Sequence, residues 1–259
     1  MIDLPTEGRA FGASQEYRDV LEGAKPVRRQ GKITQLIGQL IEAYNPGTAV
    51  GSLCTIYNPA TGQRIMGEVI GFRENKVLLM ALGQMPDIGP RCVIIPEDRP
   101  PSVPVGMAQM GRVLDGLGKP IDGKGEVLTP YEMPLYADAI NPLHRRRISE
   151  PIDVGVRAIN GLLTCGKGQR VGIMSGSGVG KSVLMGMMAR HTTADVNVIA
   201  MIGERGREVV EFLERELGEE GLKKSILVVA TSDQPALIRT RAAFVATAIA
   251  EFFRKHSHQ

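Results

Sequence analysis

The most constraining feature of this 259-residue chain is the glycine-rich run Ser175-Gly-Ser-Gly-Val-Gly-Lys181-Ser182. It lies between RVGIMS, an apolar stretch that reads as a strand, and KSVLMGMMARH, which reads as a helix. The run fits GxxxxGK[ST], with Ser175 in place of the first glycine. Gly176, Gly178 and Gly180 permit the backbone angles that turn successive N–H groups inward, forming an anion nest at a helix N-terminus. Ser177 and Val179 complete the candidate phosphate-binding set. Lys181 can reach the β- and γ-phosphates of a nucleotide, and the Ser182 hydroxyl can ligate magnesium. The alternative is a plain glycine turn. The flanking strand and helix, with further βα units behind them, favour the nucleotide site.

Those further units set the fold class. VNVIAMIG reads as a second strand, and REVVEFLEREL as a helix with Val210, Leu213 and Leu217 on one face. SILVVAT reads as a third strand, and PALIRTRAAFVATAIAEFFRK as a long helix opened by a proline. Three strand–helix alternations predict an α/β domain, a parallel sheet with covering helices. The second strand ends in Gly203-Glu204-Arg205-Gly206-Arg207-Glu208. Carboxyl ends of parallel strands face the same crevice as the phosphate loop, which aims Glu204 at the γ-phosphate as a water-orienting carboxylate. Spacing alone leaves a second reading open, in which Glu204 only complements a helix dipole.

The first hundred residues have a different rhythm. From residue 25 to 96, five stretches read as short strands: GKITQLIGQLIEAY, SLCTIYN, QRIMGEVIGF, KVLLMAL and RCVIIP. Turn signals separate them, as in a small β-barrel or sandwich. The proline-rich seam PEDRPPSVPVG resists helix and central strand, and the domain boundary is expected near 99–105. This divides the chain into an N-terminal arm (1–24), a barrel (25–100) and an α/β domain (101–259). In the arm, GASQEYRDVLEG is either a short polar helix or a disordered segment. The Arg145–Arg147 run is more simply a solvated face than a phosphate site.

Composition narrows the classes. No apolar run approaches membrane-spanning length, and MIDLPTEGRAF lacks the basic and apolar regions of a secretory signal. Cys54, Cys92 and Cys165 are far apart, so a disulfide framework or zinc site is not expected. His256 and His258 read as a solvated tail rather than a metal site. The net charge of +3 does not by itself call for nucleic acid.

Long motifs then carry a family resemblance. DVGVRAINGLLTCGKGQRVGIMSGSGVGKSVLMGMMAR, IGERGREV and VVATSDQPALIRTRAAFVATAIAEFFR resemble the ATPases of type III protein export, flagellar and injectisome. GRVLDGLGKPIDG and NPLHRRRI look like the same family. The resemblance is dense from Gly111 to Arg254 and looser over the barrel. It implies a RecA-like P-loop domain after a β-barrel, related to rotary ATP synthase subunits. It implies ATP and Mg2+ as cofactors, Lys181 on phosphates, Ser182 on magnesium, and Glu204 activating water with Arg205 nearby. It further implies a homohexamer at the cytoplasmic face of the inner membrane, with regulator, stalk and chaperone–substrate partners and no specific nucleic acid. Family members continue into a strand ending in a magnesium-supporting Asp, an arginine finger and a helical domain. On this alignment the sequence stops just before that strand, so the 259 residues alone are expected to bind nucleotide weakly and hydrolyse it poorly.

Three rivals remain at this point. A rotary synthase subunit shares the core, but Gly206 in GERGRE favours the export ATPases. A transcription-termination RNA helicase would want aromatics and basic residues on the barrel. The barrel strands carry only Tyr44, Tyr57 and Phe72. A non-catalytic nucleotide-binding scaffold is the third.

Overall fold

A computed structural model of the chain describes residue 18 and residues 29–97, 99–176 and 178–256. The expected arm lies outside these apart from Arg18, as do Ser177 and His258. Residues 31–96 form a closed six-stranded barrel rather than five strands, because GKITQLIGQLIEAY folds back on itself. β1 (Gly31–Ile37) and β2 (Leu40–Tyr44) form a hairpin in which Ile37 faces Leu40, leaving Gly38 and Gln39 as the turn. Gly38 takes a positive φ of 60°, the backbone such tight turns require. β3 (Leu53–Tyr57), β4 (Arg64–Arg73), β5 (Lys76–Ala81) and β6 (Val93–Pro96) complete the order β1-β2-β5-β4-β3-β6. Closure is made by β1 against β6, where Gly31 faces Ile94 and abuts the Tyr44 carbonyl with no room for a Cβ. Alternate residues Ile41, Ala43, Val77, Leu79 and Ile94 fill the interior, the period-two signature of a strand with one buried face.

β7 (Ser102–Val105) pairs antiparallel with β9 (Tyr131–Pro134), placing the proline-rich seam on a two-stranded ribbon. Between them β8 (Val113–Asp115) joins a different sheet. β10 (Pro151–Ile152) and β11 (Cys165–Gly166) flank α1 (Arg157–Leu162). Then come α2 (Lys181–His191), β12 (Asn197–Ile202), α3 (Gly206–Glu211), α4 (Gly218–Lys223), β13 (Ser225–Ala230) and α5 (Ala236–His256). The sheet order is β12-β13-β8, all parallel. One face packs against α5 through Ile226, Val228, Ala242, Val245 and Ile249; the other packs Ile199, Leu227 and Val229 against Ala189, Phe212 and Leu217. The parallel sheet with covering helices is thus present, but its strands are not all those expected.

RVGIMS does not form a strand. Residues 171–176 are irregular, and Met174 is 95% exposed. A strand exists only through its neighbours, and among the described residues no strand lies alongside this stretch. The third sheet position is taken instead by Val113–Asp115, whose Leu114 is fully buried.

The helix after Glu204 buries Leu217 and packs Leu213 against the same core, as expected, but not Val210. Val209, Phe212 and Leu217 are buried, whereas Val210 is half exposed. The cause is a π-helical turn over Phe212–Leu217, which admits an extra residue and shifts the phase of the α-helical stripe. This turn crosses α2 at Gly186. A Cβ there would lie 2.6 Å from Glu216 Cβ and 2.7 Å from the Glu216 carbonyl oxygen. Gly186→Ala would gain about 1 kcal/mol of helix propensity. The clash is with backbone, however, and overpacking of that kind costs about 1–3 kcal/mol. The expected outcome is a lower urea midpoint with an unchanged slope; a raised midpoint would mean the helices cross more loosely than described.

The barrel meets α5 through three side chains. Glu68 on β4 pairs with Arg241 at 3.0 Å, and the Tyr136 hydroxyl donates to Glu68 at 2.9 Å. Burial, and then the hydrogen bond to Glu68, push the Tyr136 hydroxyl up from 10.0 to about 12. The fold therefore favours the neutral phenol. Its stabilising contribution is complete below pH 10.0 and is lost as the pH rises towards about 12. Wild type should lose stability relative to Tyr136→Phe across that window, as read by urea midpoints at each pH. Parallel profiles would contradict this.

His256 is exposed, as a solvated residue should be, but it is the last residue of α5. Its Nδ1 lies 2.8 Å from the Phe252 carbonyl, and its ring is 4.2 Å from that of Phe252. The three cysteines are free and buried, as packing residues are.

Candidate nucleotide-binding site

The glycine-rich loop ends where α2 begins. Gly178 and Gly180 take φ of 77° and 97°, and Gly180 is the helix N-cap, with no side-chain cap. A Cβ on either glycine would meet nothing within 4 Å, so the glycines here serve backbone conformation and not close packing. The first N–H groups of α2 are therefore presented without a side-chain acceptor, at the positive end of the helix dipole. Val179, Lys181 and Ser182 are exposed beside them.

β12 delivers the opposing wall. Gly203 turns the chain at the strand end with φ 77°. Its N–H donates to the Ala230 carbonyl at 2.8 Å, and Ser232 N–H donates to the Glu204 carbonyl at 3.0 Å. These two bonds tie the 203–204 turn to the last residue of β13 and to the segment after it. From it Glu204 reaches Lys181, with Oε1 3.4 Å from Nζ. The pair is partly exposed.

Arg205 turns elsewhere. Its Nη1 lies 3.9 Å from Glu208 Oε1, and its guanidinium is largely exposed. The structure thus brings Lys181 and Glu204 together and pairs Arg205 with Glu208 instead. Glu208 was not picked out from the sequence as a site residue. Its carboxyl is held below the ordinary value, first by the hydrogen bond with Glu204 and then by the Arg205 N–H. The signal that could have found it is its place three residues after Arg205, the acidic position of a capping box.

A cavity of about 550 Å3 opens beneath Lys181, lined by Val171, Ile173, Met185, Ile199 and Phe212. This apolar gap separates the irregular 171–173 stretch from β12. Its lining is mostly apolar, with Lys181, Thr192 and Asn197 supplying polar atoms. The donor set at the loop suits a nucleotide with magnesium: uncapped helix amides, a lysine, a hydroxyl and a facing carboxylate. Among the described residues no separate metal-binding cluster exists.

Two family models match the chain. The β-barrel domain of the ATP synthase alpha/beta family matches residues 33–97, and the nucleotide-binding domain of that family matches residues 155–259. The chain belongs to the ATP synthase alpha/beta family. Within this family it is 49% identical over 244 residues to the flagellum-specific ATP synthase of Bacillus subtilis (strain 168), covering 93% of this chain and 55% of that protein. It is 46% identical to the type 3 secretion system ATPase of Sinorhizobium fredii (strain NBRC 101917 / NGR234), covering 87% and 50%. Among solved structures it is similar to the assembled ATPase EscN in complex with its central stalk EscO, from the enteropathogenic E. coli type III secretion system. The TM-score is 0.79 and the identity 43%, over 87% of this chain and 55% of that one. The chain therefore spans about half the length of the relatives it matches. Barrel and parallel sheet are those of an alpha/beta-family member.

Proposed function

We propose that the protein hydrolyses ATP to energise type III protein export, with the flagellar apparatus favoured over an injectisome. The observation that carries this reading is the Lys181–Glu204 pair, set across the mouth of a glycine-rich loop in a chain whose relatives are flagellum-specific ATP synthases and type 3 secretion ATPases. In this reading the α2 amides and Gly176, Ser177, Gly178, Val179 and Gly180 receive the phosphates. Lys181 neutralises the β- and γ-oxygens, and Ser182 holds magnesium, which when bound offsets charge developing on the transferred group. Released from Lys181, Glu204 orients the attacking water. Arg205, close by in sequence, supports the turn through Glu208.

The same reading takes residues 25–100 as the barrel domain and 101–259 as the nucleotide-binding domain, after an arm at 1–24. It takes the working assembly to be a homohexamer with stalk, regulator and chaperone–substrate partners, cytoplasmic and peripheral to the inner membrane. The assembled state and central stalk of EscN support this. No helix of the described residues is long and apolar enough to cross a membrane. The test is ATP turnover by the full-length gene product and its Lys181→Ala variant; equal rates would sink the proposal.

The exposed 171–176 stretch favours a narrower statement about these 259 residues by themselves. A phosphate loop whose leading strand is unpaired grips weakly, so they bind nucleotide weakly and hydrolyse it poorly. Robust magnesium-dependent turnover by this polypeptide would overturn that statement.

A further inference from the structure

The Glu68–Arg241 pair joins residues 173 positions apart, and its side chains are only 8% and 6% exposed. Burying two ions carries a desolvation penalty of several kcal/mol for each, so such a pair is a poor way to gain stability over apolar residues of similar size. It does impose geometry, because either partner displaced leaves a buried charge unpaired. Here the geometry is fully braced on the carboxylate. Glu68 Oε2 receives Arg241 Nη1, and Oε1 receives the Tyr136 hydroxyl, whose ring packs edge-on against Phe244 one turn along α5. Arg241 Nε has no partner, so the guanidinium has little else to hold it if Glu68 is lost.

α5 is a poor absorber of displacement. Its Ile238 carbonyl lies 2.9 Å from where a Cβ on Gly116 would be, and Ala242 is fully buried beside it. Its leading turn, residues 231–235, carries Ser232, which grips the Glu204 carbonyl. From Arg241 to that turn is about 9 Å of helix at 1.5 Å per residue. We propose that Glu68 and Arg241, braced by Tyr136, form a latch through which the barrel sets the position of α5 and, with it, of the turn that holds Glu204. Arg241 is then a positioning residue acting through Ser232. The coupling stands whether or not Glu204 activates water.

Amide hydrogen exchange on the whole 259-residue chain tests this. Glu68→Gln and Arg241→Met should each accelerate exchange over residues 231–241 by about tenfold, while β12 and β13 change by less than about twofold. Arg241→Lys, which keeps the charge, should restore most of the protection. The double variant should be no worse than the worse single one, since both remove the same contact. Should the charge-removing variants fail to fold, Tyr136→Phe removes one brace without stranding a charge and should give about threefold acceleration confined to the same segment. Uniform acceleration across β12, β13 and 231–241 would overturn the latch in favour of a pair that merely stabilises. Unchanged exchange at 231–241 would overturn it as well.

Discussion

Replacing Lys181 with alanine is expected to weaken nucleotide binding by about 10- to 100-fold, the loss of one charge-assisted contact to phosphate. If the proposed function holds, turnover by the full-length protein should fall further, by about 100- to 1000-fold, because in that reading the lysine also faces charge that develops during transfer. Unfolding cannot mimic this result. The Lys181–Glu204 pair is partly exposed, at 43% and 34%, and such pairs contribute at most about 1 kcal/mol. Titration of a fluorescent ATP analogue into wild type and variant separates binding from turnover. Unaltered affinity would remove Lys181 from the phosphate site and reduce the loop to a glycine turn.

Glu204→Gln is expected to divide the two quantities the other way. The substitution keeps size and leaves the bond from Ser232 N–H to the residue-204 carbonyl intact. It also removes the negative charge facing the phosphates, so affinity should hold or rise slightly. Turnover by the full-length protein should fall by about 100- to 10,000-fold, the range for losing a positioned base. A drop in affinity with turnover per bound nucleotide preserved would show that Glu204 serves the turn and not the water.

How far the sequence foretold this molecule differs between its parts. The barrel was legible because period-two apolar patterning and turn residues are local signals. The hairpin at Gly38–Gln39 was missed because a lone glycine between apolar stretches does not announce a reversal as Asn-Gly does. The loop, α2, β12 and the placement of Glu204 just after β12 were legible because the phosphate-loop pattern and strand–helix alternation are also local. The place of β8 in the sheet was not, since it depends on Leu227–Val229, more than a hundred residues away in the sequence, lying beside it. RVGIMS failed for the opposite reason: its composition says strand, but pairing depends on neighbours that composition does not see. The phase of α3 was misjudged because a π-turn leaves no trace in a search at period 3.6. Glu208 escaped because its role depends on Glu204 and Arg205 being folded towards it.

The position of β8 has a consequence for how the chain is made. Its residues pair with others 114 positions later, Val113 with Leu227. At a ribosomal pace of about 5–20 residues per second, β8 leaves the ribosome roughly 6–23 s before its partner exists. The barrel, complete at Pro96, has all its strands by then and can close at once. During that interval β8 is held only by its local turn, where Leu114 bridges Pro120 and Ile121 N–H donates to the Val113 carbonyl at 2.9 Å. Newly made chains should therefore pass through a stage with a folded barrel and an unfinished sheet, and among the described strands the last to be made, β13, is the one that joins β12 to β8.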